Sequence, residues 1–372
     1  MKKVLIFSLA YYPHVGGAEV AIKEITDRIT DVEWHMITLR FSKSDAAVEK
    51  VGNVVVHRIG NGTSYFSKIL FIPSAAAEAS VLHRKNKFDA LWAMMLYMTF
   101  PITLARLLGV RVPYALTLQE GDPYEFVFER WYIKLFSPLL KIGFKNAAVI
   151  QTISTYLAAW TKRQNYFGPI EVIPNGVDTK RFVGESVPHE GVVLITTSRL
   201  VHKNAIDVVI RALKLLPDSV TFQILGTGAD EQKLKMLAAS EGVAGRVQFM
   251  GHVDHADMPV LLHKADIFIR PSRSEGMGNS FIEAFAAGLP VIATQEGGIA
   301  DFLFDAKRNT DKPTTGWAVD VDSPEQIAVQ VKEIVSNPEA TKKVIETARN
   351  LAQQKYDWDL IAKEMQTKVF NF

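Results

Sequence analysis

Short apolar runs, each bounded by polar, Gly or Pro residues, alternate along this chain with segments whose apolar residues recur at helical spacing. Val4–Leu9 is the first run, and Tyr12-Pro13-His14-Val15-Gly16-Gly17 after it reads as a turn. From Ala18 to Ile29, the residues Val20, Ile22, Ile25 and Ile29 share one helical face. Further strand-like runs lie at Glu33–Leu39, Val54–Ile59, Ala90–Ala93, Tyr114–Leu118 and Ala148–Thr152. The alternation restarts with strands predicted at Val192–Thr197, Thr221–Leu225, Arg246–Phe249, Ile267–Arg270 and Val291–Ala293. Helices are predicted over Asp207–Leu216, Glu231–Gly242, Ser280–Ala287 and Pro324–Ser336. This alternation predicts an α/β fold with two doubly wound parallel-sheet domains, residues 1–172 and 173–355. The boundary falls in the Gly- and Pro-bearing stretch Pro169–Gly191. The last segment, 356–372, carries Tyr356, Trp358, Leu360, Ile361, Met365, Val369 and Phe370; it is too apolar for a free tail and is expected to pack back on the first domain. In such folds ligands bind at the carboxyl ends of the strands, so the site is expected to face a cleft between the domains.

Composition narrows the class. The 372 residues are 48% hydrophobic and 22% charged, a balance that excludes disorder over most of the length. The absence of Cys removes disulfides, Cys-ligated zinc and a thiol nucleophile, and suits a reducing compartment. Residues 1–180 carry 21 Lys and Arg against 15 Asp and Glu, while residues 181–372 carry 21 against 25. The basic first half hints at an anionic surface as its partner. The run after Lys2 and Lys3 breaks at Tyr11-Tyr12-Pro13, which reads as a buried first strand rather than a signal peptide. No stretch reaches about 18 uncharged apolar residues, so no transmembrane helix is expected. The expected location is cytoplasmic, with peripheral contact to the membrane as an option.

The segment richest in chemistry is Pro271-Ser272-Arg273-Ser274-Glu275-Gly276-Met277-Gly278-Asn279-Ser280-Phe281-Ile282-Glu283. A strand ends in a glycine-bearing loop and a helix begins near Ser280, an arrangement that offers free N–H groups to a phosphate. The plainer alternative is a capping box, Ser280 to Glu283. After the first strand of the second domain, Ser198-Arg199-Leu200-Val201-His202-Lys203-Asn204 puts two cations where they can hold a diphosphate, or merely form a solvated basic turn. Gly226-Thr227-Gly228 ends another strand, but the third glycine of a dinucleotide fingerprint is missing, which disfavours a NAD dehydrogenase. Gly16-Gly17-Ala18-Glu19 opens the first helix; it is no P-loop, and reads either as a phosphate contact or as a tight turn with a favourable Glu.

Together these segments resemble retaining glycosyltransferase family 4, nucleotide-sugar enzymes of the glycosyltransferase B fold, which is built from two Rossmann-like domains. The resemblance runs over nearly the whole chain. It rests on Gly16-Gly17-Ala18-Glu19, Pro174-Asn175-Gly176-Val177-Asp178, Ser198-Arg199-Leu200 with Lys203, Gly226-Thr227-Gly228, Phe249-Met250-Gly251, and Glu275 to Glu283 through Ala287-Gly288-Leu289-Pro290-Val291-Ile292. The resemblance implies that the second domain holds a UDP- or GDP-sugar and the first domain an acceptor. Arg199 and Lys203 would neutralise the diphosphate. Glu283 would accept hydrogen bonds from the ribose, and Glu275 from the donor sugar. Backbone N–H groups of Met277, Gly278, Asn279 and Ser280 would line sugar and phosphate, with Gly226 in the same donor site. Backbone near His252 and Val253 would read the base, and Gly16 and Gly17 would close over the phosphates. Two cations and a helix dipole can stabilise a leaving diphosphate, so no metal and no cofactor are expected.

Two departures stand out. Where many relatives carry a first-domain His, this chain has Thr117-Leu118-Gln119-Glu120-Gly121-Asp122, leaving Gln119, Glu120, Asp122 or the loop residue His14 to orient sugar or acceptor. The family's Gly after the diphosphate Lys is Asn204, which tolerates left-handed backbone. On the acceptor side, Phe126–Lys145 interleaves aromatics with four Lys and Arg against one Glu, and Tyr65–Phe71 is similar in kind. Such patterns suit either an interfacial helix on anionic lipid or a core helix with snorkelling bases. The expected function is therefore transfer of a hexose to a glycan or lipid-linked acceptor. The alternatives are an inactive scaffold of the same fold, a sugar-nucleotide epimerase, and an exported two-lobed sugar receptor, which the missing signal peptide disfavours. Nucleic acid is not an expected partner, because pI is near 8.5 and no reader motif occurs.

Overall fold

The computed structural model describes residues 1–371, without the side chains of Trp131 and Tyr132; Phe372 lies outside the described residues. The chain divides into two units, Met1–Gly176 with Trp358–Phe372, and Val177–Asp357.

The first unit is an eight-stranded sheet. Its strands are β1 (Lys2–Phe7), β2 (Val32–Leu39), β3 (Val48–Val51), β4 (Val54–Ile59), β5 (Ala90–Met94), β6 (Tyr114–Leu118), β7 (Val149–Thr152) and β8 (Ile170–Val172). Their order is β3-β4-β2-β1-β5-β6-β7-β8, and every pair is parallel except β3 with β4. The interior strands β5 and β6 are buried throughout, which is why they read as unbroken apolar runs. β3 (Val-Glu-Lys-Val) is mostly exposed and carries two charges, the composition of a protected sheet edge, and no apolar run announces it. Helices Gly17–Arg28, Tyr65–Asn86, Thr99–Leu107, Ser137–Lys145 and Thr155–Arg163 cover the sheet.

The second unit is all parallel. Its strands are β9 (Val192–Thr197), β10 (Val220–Leu225), β11 (Val247–Gly251), β12 (Ile267–Arg270), β13 (Val291–Ala293) and β14 (Trp317–Ala318), in the order β11-β10-β9-β12-β13-β14. Helix Ile206–Leu213 buries Ile206, Val208, Val209, Ile210, Ala212 and Leu213 against this sheet. It stops at Leu213, three residues before the predicted end, where Lys214 to Leu216 turn toward Pro217.

The division falls at Gly176 and returns at Trp358, rather than at 172 and 356. Tyr356 stays with the second unit: its carbonyl accepts from Val177 N–H (2.7 Å) and its ring packs edge-on to Phe302 (6.2 Å). From Trp358 the chain re-enters the first unit as helix Trp358–Glu364 and a π-helical turn, Met365–Val369. Phe370 wedges between Trp34 (5.2 Å) and Trp92 (4.9 Å), and Trp358, Ile361, Met365 and Val369 are buried with it. Each such side chain contributes about 1.5–3 kcal/mol by leaving water, so the terminal segment is part of that core.

The aromatic-basic stretch 126–145 is not one helix. It breaks into Tyr124–Phe128, Trp131–Leu135 and Ser137–Lys145. Phe128, Leu140 and Phe144 turn inward, whereas Phe126, Leu135, Phe136 and Ile142 stay exposed; the Trp131 and Tyr132 side chains lie outside the described residues. No helix among the described residues is long and apolar enough to cross a membrane.

Candidate functional site

In the second unit the strand order reverses between β9 and β12. Loops leaving the carboxyl ends of two such strands diverge and leave a crevice, where ligands of open α/β sheets bind. Here those loops are Ser198–Ala205 and Pro271–Gly278, the two segments that carry the candidate chemistry.

The first loop is braced through its backbone. Leu200 N–H donates to the Thr227 carbonyl (2.9 Å), and Asp230 N–H to the Leu200 carbonyl (3.0 Å). A Cβ at Gly226 would run into the Ser198 carbonyl, and one at Gly228 into the Leu200 backbone; Gly226 also has φ 138°. These glycines therefore fit because the Arg199 loop lies on them. Asn204 Nδ2 donates to the Arg199 carbonyl (2.6 Å), and the left-handed residue is Ala205 (φ 54°), not Asn204. The departure at 204 thus acts as a buried amide clamp rather than as a glycine substitute. Arg273 closes the other side: its N–H donates to the Lys203 carbonyl (2.7 Å), and its guanidinium to the His202 carbonyl (2.5 Å) and to both Asp207 oxygens (3.0 and 2.8 Å). Burial would raise the Asp207 carboxyl, but the bonds from Arg273 and Arg211 hold it below the usual range. Arg199 is left exposed and Lys203 half-buried on this fixed loop.

The second loop is organised by Arg270, 5% exposed at the last position of β12. Its Nη1 donates to the Thr197 carbonyl (3.1 Å) and Ser280 Oγ (2.9 Å), and Nη2 to Glu275 Oε2 (2.8 Å). Its guanidinium also lies over the Phe281 ring, 4.2 Å from the centroid. Burial pulls this guanidinium below the usual arginine value, opposed by Glu275 and Glu283. Gly276 N–H donates to Glu275 Oε1 (3.0 Å), and the Glu275 carbonyl accepts from Gly298 N–H (3.0 Å). Buried Met277 and left-handed Gly278 (φ 87°) lead into helix Asn279–Ala287.

The capping-box alternative fails. The N-cap is Gly278, which has no side chain to cap with; Ser280 lies inside the first turn and is held by Arg270. Glu283 is not at the N-cap backbone but at His255, with Oε1 3.0 Å from Nε2. His255 Nδ1 in turn lies 3.1 Å from Arg181 Nη1. His252 is exposed and Val253 half-buried; with Asp254, Asp257, Val260 and Leu261 they line an open hollow of about 450 Å³.

In the first unit the order reverses between β1 and β5. His14 and Gly16 lie in the loop after β1. His14 is exposed, 3.8 Å from Asp45, with its ring edge-on to Phe41 (4.8 Å). Gly16 is the N-cap of helix Gly17–Arg28, and its N–H donates to Glu19 Oε2 (2.7 Å). This is the favourable-Glu arrangement; Gly17 faces open space, so packing does not explain it. Gln119 exchanges two hydrogen bonds with Asn175 (3.0 and 3.2 Å), which occupies its amide. Glu120 is buried; Oε1 accepts from Leu96 N–H (2.7 Å), while Oε2 has no hydrogen-bond partner. Burial, opposed by backbone N–H groups, pushes this carboxyl up to about 7. Asp122, half-buried, adds to the upward push on Glu120.

Arg270, Arg273, His255 and Arg181 escaped the sequence reading. Arg270 had a signal: a cation closing the apolar run Ile267-Phe268-Ile269 needs a partner when buried, and Glu275 lies five residues on. His255 had none, because its partners sit far away in sequence. Among the described residues, no group of three or more His, Asp or Glu is placed to hold a metal ion.

Two family models match, Glycosyltransferase Family 4 over residues 15–181 and Glycosyl transferases group 1 over residues 178–351. A GDP-mannose-dependent alpha-(1-6)-phosphatidylinositol monomannoside mannosyltransferase of Mycobacterium tuberculosis is 29% identical, covering 98% of this chain and 97% of the relative. An uncharacterized glycosyltransferase of Methanocaldococcus jannaschii is 22% identical over 96% and 95%. Among solved structures, sucrose-phosphate synthase from Thermosynechococcus elongatus superposes with a TM-score of 0.85 at 17% identity, covering 98% of each chain. Anabaena HepE, solved with UDP-glucose, gives 0.80 at 18% over the whole of both chains. With two parallel α/β units of this topology and family matches running almost end to end, the chain belongs to the family 4, group 1 glycosyltransferases of the glycosyltransferase B fold.

Proposed function

We propose that the chain is a retaining, metal-independent hexosyltransferase that takes its sugar from a UDP- or GDP-sugar and passes it to a glycan or lipid-linked acceptor. The observation that carries this reading is the placement of Arg199, Lys203 and Glu275 on the loops beside the second unit's strand reversal, with Glu283 on the helix whose N-terminus follows the second loop. As the bond from the sugar's anomeric carbon to the diphosphate breaks, charge grows on the leaving oxygen. Arg199, Lys203 and the N–H groups at Gly278–Ser280 are suited to stabilise it where it grows. The acceptor hydroxyl attacks from the same face, and its proton passes to the departing phosphate. No carboxylate nucleophile is needed, and Glu275, paired with Arg270, serves as an acceptor for sugar hydroxyls. Glu283 receives the ribose, and the backbone at His252 and Val253 the base. The two bases kept open match the relatives, one named for GDP-mannose and one solved with UDP-glucose.

The first unit suits a lipid-linked acceptor. On helix Tyr65–Asn86, Phe66 is 67% exposed, with Tyr65, Ile69 and Leu70 beside it. Lys68 of the same turn joins Tyr97 through its carbonyl (2.6 Å), Tyr97 meets Phe100 (6.0 Å), and Phe100 meets exposed Phe136 (6.4 Å). Exposed Leu135 and Ile142 lie among Lys134, Lys141 and Lys145. Apolar side chains among cations fit an anionic lipid surface.

The test is turnover in EDTA with GDP-mannose or UDP-glucose, in the presence of vesicles of phosphatidylglycerol and phosphatidylinositol. The expected result is release of GDP or UDP, hexose in the lipid fraction with the donor's anomeric configuration by NMR, and flotation with these vesicles but not with phosphatidylcholine alone. Loss of turnover on chelation overturns metal independence, an inverted linkage overturns retention, and failure to float overturns the lipid-facing surface.

A further inference from the structure

Glu283 does not stand alone in the second unit. Its Oε1 lies 3.0 Å from His255 Nε2, and His255 Nδ1 lies 3.1 Å from Arg181 Nη1. A guanidinium has no lone pair to offer, so it donates and Nδ1 accepts. The ring proton is then on Nε2, and Nε2–H donates to Glu283. The ring is anchored at both ends. Arg181 also donates to the His255 carbonyl, and its own N–H bonds the Asp178 carbonyl (3.1 Å). Buried Phe182 packs edge-on to the imidazole at 5.9 Å. The His255 side chain is 53% exposed and that of Glu283 only 12%, so the histidine covers the carboxylate from the solvent side.

We infer that His255 is a positioning residue for the nucleotide: its neutral ring, fixed between Arg181 and Glu283, holds the Glu283 carboxylate turned to receive the ribose hydroxyls. The inference rests on the reading of Glu283 as the ribose contact. His255 donates to Oε1 alone, which leaves Oε2 for the ligand. The charged groups facing the ring are Arg181, from the segment that opens this unit, and Glu283, from helix Asn279–Ala287. On its own turn it is flanked by Asp254, which lies 3.6 Å from His252, and by Asp257, whose N–H bonds the Asp254 carbonyl (2.9 Å).

The experiment is titration calorimetry with UDP and GDP at pH 8, on the wild type, His255→Ala, His255→Gln and Glu283→Gln, with donor KM and kcat at the same pH. Loss of one hydrogen bond to a charged group is expected to weaken binding by roughly tenfold, so His255→Ala raises Kd and donor KM by about that factor and moves kcat much less. Gln offers an N–H to Glu283 and an oxygen to Arg181, so His255→Gln restores wild-type affinity at pH 8. Wild-type affinity in His255→Ala overturns the inference, as does a Gln variant no better than Ala. If Glu283→Gln binds as tightly as wild type, the ribose reading itself fails; if it weakens binding while His255→Ala does not, only the role of His255 falls.

Discussion

Replacing Arg199 with Ala is expected to lower kcat by about 10²–10³-fold, the usual cost of removing one preorganised donor from a developing negative charge. The thermal midpoint should stay within about 2 °C of wild type, because exposed side chains away from special features contribute within about 0.5 kcal/mol. The loop does not depend on the guanidinium: Asn204 holds the Arg199 carbonyl, and the flanking bonds run between Leu200, Thr227 and Asp230 backbones. Arg199→Lys should recover part of the rate, since it restores the charge but not the planar fork. Steady-state kinetics beside a melting curve check this. A kcat within threefold of wild type in Arg199→Ala would mean that the leaving group is stabilised elsewhere.

The second large effect is on stability. Arg270→Met strips the partner from Glu275 and leaves Ser280 and the Thr197 carbonyl without their donor. Breaking such a buried pair on one side costs about 3–5 kcal/mol. At about 2–4 °C per kcal/mol for a unit of this size, the second unit's transition should fall by roughly 6–20 °C. The double variant Arg270→Met with Glu275→Gln should regain most of the midpoint, because no unpaired charge remains. It should regain no turnover, because the loop has lost the group that positions it. Differential scanning calorimetry separates the outcomes; a single variant that melts with the wild type would show that Arg270 does not anchor this loop.

Much of the architecture was legible because most interior strands are buried on both faces, and the rest, such as Val54–Ile59, on one. Val54–Ile59, Tyr114–Leu118, Val192–Thr197, Ile267–Arg270 and Val291–Ala293 begin and end where their apolar runs do. What stayed hidden has a physical cause in each case. β3 pairs at a charged edge, β8 and β14 span three and two residues, and helix Tyr65–Asn86 opens with apolar residues on its exposed side, so no face stands out. The site was legible as segments but not as a network. Glu275 and Glu283 stand out by spacing, while Arg270 and His255, which hold them, become visible only once strands and loops distant in sequence are brought together. The terminal segment followed from composition: Trp358 and Phe370 needed a core, and β1, β2 and β5 with their covering helix provide one.

In the proposed function, the second unit captures a nucleoside diphosphate with its own cations and helix terminus. Isothermal titration of the full chain with UDP, GDP and ADP in EDTA tests this most directly, with Lys203→Ala beside the wild type. Binding of UDP or GDP without metal, weakened at least tenfold in Lys203→Ala, is the predicted result. No binding of any of the three at millimolar concentration, or equal binding by wild type and variant, would contradict it.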